Sequence, residues 1–259
     1  MTPLAEIEAA TRSLLATAAR LDDADARAPS LLPGWTRGHV LTHVARNADG
    51  GTRLLTWART SLLWGDDPPH PPGGPAGPAP NAPLELRSGN RTGIESYEYR
   101  SLEARAAEIE DGAGRPAGAL VADVRDSAAR FTDAYALMPD EAWERTVQWT
   151  TGARHPAARA ADARLTEVLV HHVDLDAGFT PRDWPAAFTT RMLASVTASY
   201  ARRDDAPDLR LRATDTGEEH GHGDLLVTGP ATSLLAWLMG RSPGTGLTGA
   251  DGVELPFLY

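Results

Sequence analysis

The apolar positions in the first part of the chain recur with the spacing of an α-helix. Five of them share one face of an opening amphipathic helix: Leu4, Ile7, Leu14, Ala18 and Leu21. Pro33-Gly34 interrupts this pattern, and Thr36 is a candidate N-cap for a second helix that continues to about Trp64. Gly50-Gly51 forms a weak point inside the second helix, because glycine costs roughly 1 kcal/mol relative to alanine there.

Proline and glycine dominate the next segment, from Gly65 to Gly93. Eight prolines between positions 68 and 83 remove backbone donors that a helix or a central strand needs. We therefore predict a long surface loop, partly polyproline-like and mobile, that lies outside the helical core.

The rest of the chain changes character near Gly178. Before it, the pattern predicts helices over 101–110, 116–137 and 158–177 and a short strand over 146–151. After it, helices over 185–202 and 229–239 alternate with strand-like runs over 208–213 and 224–228. The predicted fold class is mixed, with an N-terminal helical bundle over residues 1–180 and a small α+β domain over 181–259.

Charge and composition narrow the function. The net charge is -10, with 25 Lys+Arg against 35 Asp+Glu, which argues against a nucleic-acid-binding protein. The sequence contains no cysteine, so thiolate nucleophiles and cysteine-bound zinc are excluded, and nitrogen and oxygen must hold any metal. The first residues lack the features of a signal peptide, and no apolar run reaches the ~20 residues of a transmembrane helix. We expect a cytoplasmic enzyme.

Histidines on two predicted helices suggest a metal site. Glu167 and His171 are four residues apart and share a helix face with Asp174, while His39, His43 and Asn47 line one face of the second helix. If the two faces meet, they form a pocket of nitrogen and oxygen atoms suited to zinc or a similar metal.

Spacing alone favours a simpler interpretation. The apolar residues of the 158–177 helix cluster on the opposite arc, which is typical of a solvated face at Glu167, His171 and Asp174. His220-Gly221-His222, beside Glu218 and Glu219, is a second candidate cluster, although a polar turn is the better interpretation there.

Two sequence segments favour the metal site over the solvated helix face. They are LPGWTRGHVLTHVARNAD from Leu32 to Asp49 and EVLVHHVDL from Glu167 to Leu175. In this order and separation they resemble the mycothiol-dependent maleylpyruvate isomerase family, which is related to the DinB-like metal-binding four-helix bundles. The segment from Tyr99 to Ile109 is a third match, and the stretch from Gly229 to Arg241 is similar to the small sterol-carrier-like domain of that family.

The resemblance implies a divalent metal, usually zinc, on His43, Glu167 and His171. It also implies that Arg105 and Arg241 are the catalytic arginines that bind substrate, and we assign Arg241, His39 and Asn47 to the thiol cofactor. For the arginines, a solvated helix face at Arg105 and a helix-end cation at Arg241 stay open as simpler roles.

Two neighbouring residues keep alternatives as well. Asp174 either orients the imidazole of His171 or contacts a helix N–H or solvent. Trp35 is expected to pack in the core rather than to contact substrate. The Pro/Gly-rich stretch from Asp66 to Asn90 is longer than expected between these family motifs, and if it borders the pocket it would change the substrate.

The function implied by the resemblance is isomerisation of maleylpyruvate to fumarylpyruvate, a step in aromatic-acid breakdown, through a metal-bound mycothiol thiolate. The thiol is a cofactor, which explains thiol chemistry in a chain without cysteine. Two alternatives stay open: a mycothiol S-transferase, which consumes its thiol, and a non-catalytic metal- or ligand-binding module. The expected partners are an anionic small molecule and the thiol, without nucleic acid or membrane, in a monomer or small homo-oligomer.

Overall fold

The computed structural model describes residues 3–64, 99 and 101–256. The predicted proline-rich loop lies outside the described residues. The chain divides into two compact units, Met1–His171 and His172–Tyr259, and each is described by itself. No helix among the described residues is long and apolar enough to cross a membrane.

The first unit is helical with one small hairpin. Its elements are α1 (Pro3–Ala18), α2 (Asp23–Arg27), α3 (Arg37–Trp64), α4 (Leu102–Ala113), α5 (Ala117–Ala136), the antiparallel strands β1 (Thr146–Gln148) and β2 (Arg154–Pro156), and α6 (Arg159–Asp174), whose last three residues belong to the second unit. The side chains that α1 buries, among them Ile7, Leu14 and Ala18, lie at helical spacing and form the predicted face. The predicted helices are confirmed, while α2 and β2 were not predicted.

Helix α3 is the central element of this unit. It packs along α5 and against α4, and Val40, Val44 and Leu55 on its buried side have no exposed surface. The expected weak point at Gly50-Gly51 does not break the helix, which is continuous to Trp64. The missing side chain of Gly51 leaves room for the Phe131 ring, so packing offsets the low helix propensity of glycine.

Two glycines let α3 and α4 approach closely. A Cβ added to Gly38 would overlap the backbone carbonyl of Ala113, and one added to Gly112 would lie 2.5 Å from Cγ2 of Thr42. Because both distances are below ordinary van der Waals contact, neither position accepts a side chain at the present helix separation.

The second unit combines helices with a three-stranded sheet. Its elements are α7 (Ala186–Tyr200), β3 (Leu209–Ala213), β4 (Glu219–His220), β5 (Leu225–Gly229) and α8 (Ala231–Leu238). The strand order is β4-β3-β5, with β3 antiparallel to β4 and parallel to β5. Leu211 pairs with Val227 in register, and both are fully buried. The prediction of a helical first part followed by a small α+β part is confirmed.

Candidate metal centre

The start of α3 is fixed by a reciprocal contact between Thr36 and His39. The backbone N–H of Thr36 donates to Nδ1 of His39 (3.1 Å), and the backbone N–H of His39 donates to Oγ1 of Thr36 (3.4 Å). This arrangement corresponds to a capping box in which histidine replaces the usual Glu or Gln. Because Nδ1 accepts, the ring proton lies on Nε2, which donates to Oε2 of Glu110 (3.1 Å). His39 thus has a structural place, and its assignment to the thiol cofactor stays a prediction.

One turn further along α3, His43 meets two side chains of α6. Its Nε2 lies 2.8 Å from Oε2 of Glu167, and Nε2 of His171 lies 3.2 Å from the same oxygen. The two imidazole rings are nearly perpendicular, with centroids 4.5 Å apart. One ligand atom from each of the three residues falls within 4.8 Å of the other two. The structure therefore brings together the three predicted metal ligands.

The face of α6 that carries Glu167 and His171 is not solvated. The Glu167 side chain is 26% exposed, the His171 side chain is 13% exposed, and Asp174 is fully buried. The periodicity interpretation was wrong here, because His43 of α3 contacts Glu167 and His171, while Arg241 contacts Asp174.

Burial and mutual contact set the charges in this cluster. Burial lowers the pKa of His43 to about 4, against an opposing effect of the nearby Glu167 carboxylate. Burial by itself would raise the pKa of Glu167, yet the neighbouring His43 and His171 hold that pKa well below its usual value. At neutral pH the cluster therefore offers a neutral His43 imidazole and an ionised carboxylate, which are the forms that coordinate a metal.

Arg105 lies beside this cluster. Its Nη2 donates to Nδ1 of His43 (3.2 Å), and its guanidinium carbon lies 5.8 Å from the centre of the Tyr99 ring. The guanidinium of Arg53 lies 5.9 Å from the same ring centre. The structure thus places the predicted Arg105 next to a predicted ligand, and it adds Arg53 and Tyr99, which were not among the predicted site residues.

Asn47, also on α3, contacts a buried arginine that was not predicted. Nη1 of Arg164 donates to Oδ1 of Asn47 (3.0 Å) and to the backbone carbonyl of Val44 (2.8 Å). Arg164 is only 2% exposed and lies one turn before Glu167 on α6. The available signal was an arginine directly beside Leu165 and four residues before Val168, on the apolar arc of the helix.

In the second unit, Arg241 grips Asp174 with two donors. Nε donates to Oδ1 (3.0 Å) and Nη2 to Oδ2 (2.8 Å), while Nη1 donates to the backbone carbonyl of Met239 (2.7 Å). The Arg241 side chain is 4% exposed and the Asp174 side chain is fully buried. This two-pronged geometry makes the pair a strong structural contact. The predicted role of Arg241 toward a substrate carboxylate stays a prediction.

The second histidine cluster does not assemble. His220 lies at the end of β4, with Nε2 3.7 Å from Oε2 of Glu218. Across residues 3–64, 99 and 101–256, no second group of three histidine or acidic side chains converges as His43, Glu167 and His171 do. The segment forms strand β4, paired with β3, in place of the polar turn that we predicted.

Comparison with known proteins extends over both units. A family model described as the mycothiol maleylpyruvate isomerase N-terminal domain matches residues 7–176, and a model of the corresponding C-terminal domain matches residues 183–256. Crystal structures of the mycothiol-dependent maleylpyruvate isomerase and of a histidine-to-alanine variant of it are each 25% identical to this chain. Each match covers 99% of this chain and 95% of the other, with a TM-score of 0.79. No curated protein matches the sequence.

Proposed function

The chain belongs to the mycothiol maleylpyruvate isomerase family, and from that premise we propose that it is a metal- and thiol-dependent cis–trans isomerase. Its proposed substrate is maleylpyruvate or a similar unsaturated dicarboxylate, and mycothiol is the proposed thiol. The observation that carries the proposal is the convergence of His43, Glu167 and His171 from two helices onto one point.

The donor set fits a divalent metal, with zinc as the first choice. Two imidazoles and one carboxylate are a common ligand set of catalytic zinc, and three protein ligands leave a coordination position open. Glu167 is ionised and His43 is neutral at neutral pH, so binding requires little proton release from either residue. When bound, the cation supplies positive charge that favours the thiolate form of an entering thiol.

The reaction needs a nucleophilic sulfur that the chain itself cannot provide, since it has no cysteine. When bound, mycothiol would supply a thiolate whose reversible addition to the substrate double bond allows rotation about that bond, so that the trans isomer forms and the thiol is recovered.

Arg105 is the residue best placed to offset the negative charge of substrate near the cluster. It now donates to Nδ1 of His43, which requires the ring proton of His43 to be on Nε2. If Nε2 is the metal-binding atom, the neutral ring carries its proton on Nδ1 and no longer accepts from Arg105. The two uses of His43 are mutually exclusive, so occupancy of the site would leave the guanidinium available for a substrate carboxylate.

Three other residues keep their proposed roles, and each of them also bonds to another side chain of this protein. Arg241 is proposed to bind a substrate carboxylate and the thiol, and it is held by Asp174. His39 and Asn47 are proposed to contact the thiol, and they bind Glu110 and Arg164 respectively.

The deciding experiment is a maleylpyruvate isomerisation assay on zinc-loaded protein with and without mycothiol. We expect cis-to-trans conversion only when the thiol is present, with all thiol recovered afterwards. Stoichiometric loss of thiol would instead identify an S-transferase. Equal turnover without thiol, or metal binding without any turnover, would overturn the proposal. His43→Ala is the inactive control, because it removes a proposed ligand.

A further inference from the structure

Arg164 occupies a position that links the two helices carrying the proposed ligands. On α3, its two acceptors are the backbone carbonyl of Val44, directly after His43, and the side chain of Asn47, one turn after His43. On α6, Arg164 itself lies three residues before Glu167. Through Nη1, Arg164 therefore bonds to both ends of the turn of α3 that follows His43. Arg164 itself lies in the turn of α6 that precedes Glu167.

This link matters because the contact of His43 with Glu167 depends on how α3 is positioned along α6. Where backbones approach closely, interlocking side chains fix how one helix is positioned along the other. Between α3 and α6, polar side chains also reach from one helix to the other. The contact of His43 with Glu167 is one such span, and the contact of Arg164 with α3 is another.

Burying the Arg164 guanidinium at this position is energetically unfavourable. It is 2% exposed, and its Nε and Nη2 have no hydrogen-bond partner among the described residues. Burial lowers its pKa to about 10, so it still carries its charge at neutral pH. A poorly compensated buried charge is weak evidence for a stabilising role, and its better-attested use is to specify one geometry. An apolar residue of similar length would suit the core at least as well.

We propose that Arg164 and Asn47 form a clamp that positions His43 against Glu167 and His171, so that Arg164 is a positioning residue for the metal centre. The proposal rests on the proposed function only in that these three residues bind a metal. It assigns the Asn47 side chain to the clamp, as an acceptor for Arg164. Groups that orient metal ligands commonly change metal affinity about 10- to 100-fold when they are replaced.

Charge complicates the simplest test. Arg164→Met removes a positive charge near Glu167, which by itself favours a cation and opposes the loss of geometry. Two other variants avoid this problem: Arg164→Lys keeps the charge but not the two-acceptor reach, and Asn47→Leu leaves the formal charge unchanged. Arg130→Gln is the matched control, because Arg130 also joins α3 to a neighbouring helix, through its two hydrogen bonds to Asp49.

The measurement is titration of the full-length, metal-free protein with Co²⁺, followed by its visible absorption spectrum, and a thermal melt of each variant. Arg164→Lys and Asn47→Leu are expected to weaken Co²⁺ binding at least about tenfold and to shift the spectrum. Arg130→Gln is expected to match the wild type in both. Arg164→Met is expected to melt within about 3 °C of the wild type or above it. If Arg164 served only to stabilise the fold, this variant would melt at a clearly lower temperature.

The outcomes separate this inference from the proposed function. Wild-type affinity and spectrum in both Arg164→Lys and Asn47→Leu would overturn the clamp while leaving the isomerase proposal intact. The same loss in Arg130→Gln would also overturn it, because the effect would then be general loosening. If the wild type binds no Co²⁺, the metal part of both proposals fails. Failure of the thiol-dependent assay alone leaves the clamp standing, since the titration needs neither thiol nor substrate.

Discussion

The contact between Asp174 and Arg241 yields a prediction whose size follows from burial. Asp174→Asn preserves the side-chain shape but removes the negative charge opposite a guanidinium whose side chain is 4% exposed. Breaking a buried ion pair from one side costs about 3–5 kcal/mol, because the remaining charge is left without compensation. The amide oxygen of the variant still accepts one hydrogen bond, so we expect the lower end, about 3 kcal/mol. For a chain of this length that corresponds to a fall in Tm of about 6–12 °C.

The assay is urea unfolding followed by far-ultraviolet circular dichroism, with a thermal melt in parallel. Arg241→Met should cost a similar amount, whereas the double variant Asp174→Leu/Arg241→Met should recover most of the loss, because no buried charge remains unpaired. If Asp174→Asn lowers the free energy of unfolding by less than about 0.5 kcal/mol, the reasoning is refuted, because a loss of that size is typical of an exposed ion pair. Steady-state kinetics on Arg241→Lys in the same series would separate a substrate role from this structural one.

Further predictions concern the metal centre. His43→Ala and His171→Ala should each reduce bound zinc from about one equivalent per chain to a small fraction by elemental analysis, and His155→Ala should not; full occupancy in both ligand variants contradicts the assignment. Arg105→Gln should lower kcat/KM about 10- to 100-fold with unchanged zinc content, whereas Arg53→Gln, the matched control near the same tyrosine ring, should have a smaller effect. The metal-free protein should lose stability in acid, because burial holds the pKa of His43 at about 4, below its usual 6.5. The contribution of neutral His43 to the free energy of unfolding is complete above pH about 6.5. It falls as the pH drops toward 4, with a loss of about 2 kcal/mol at pH 5. Melts of metal-free protein at pH 7.5 and 5 test this, and a His43→Asn variant with the same pH dependence would contradict it.

The helices could be predicted because their signals are local. Apolar spacing located α1, α3 and α5. Helix α4 begins where it was predicted, and Oγ of Ser101 accepts from the backbone N–H of Ala104 at 3.1 Å. The strand β2 was missed because Arg154–Pro156 is short and polar, and it becomes a strand only by pairing with β1. Likewise β4 has two residues and depends on β3.

The candidate site shows where local signals end. The contact between His43 and Glu167 joins residues 124 positions apart, so helical periodicity alone assigned Glu167 to solvent. The motifs predicted that His43, Glu167 and His171 lie together because a family resemblance carries the long-range pairing that one sequence does not display. Arg164 escaped attention for the opposite reason: its neighbours are apolar, and nothing local reveals which distant backbone carbonyl satisfies a buried guanidinium.

The close crossing of α3 and α4 at Gly38 and Gly112 has a consequence for attempts to make the protein more robust. Replacing a helical glycine by alanine is a common stabilising exchange, worth up to about 1 kcal/mol from helix propensity. At Gly38 the new methyl group would collide with a rigid backbone carbonyl of Ala113, so the two helices would have to separate. Arg105 on α4 would then move away from His43 on α3. Ranking substitutions by helix propensity alone would therefore select a change that separates Arg105 from His43, and a library aimed at heat tolerance should keep both glycines.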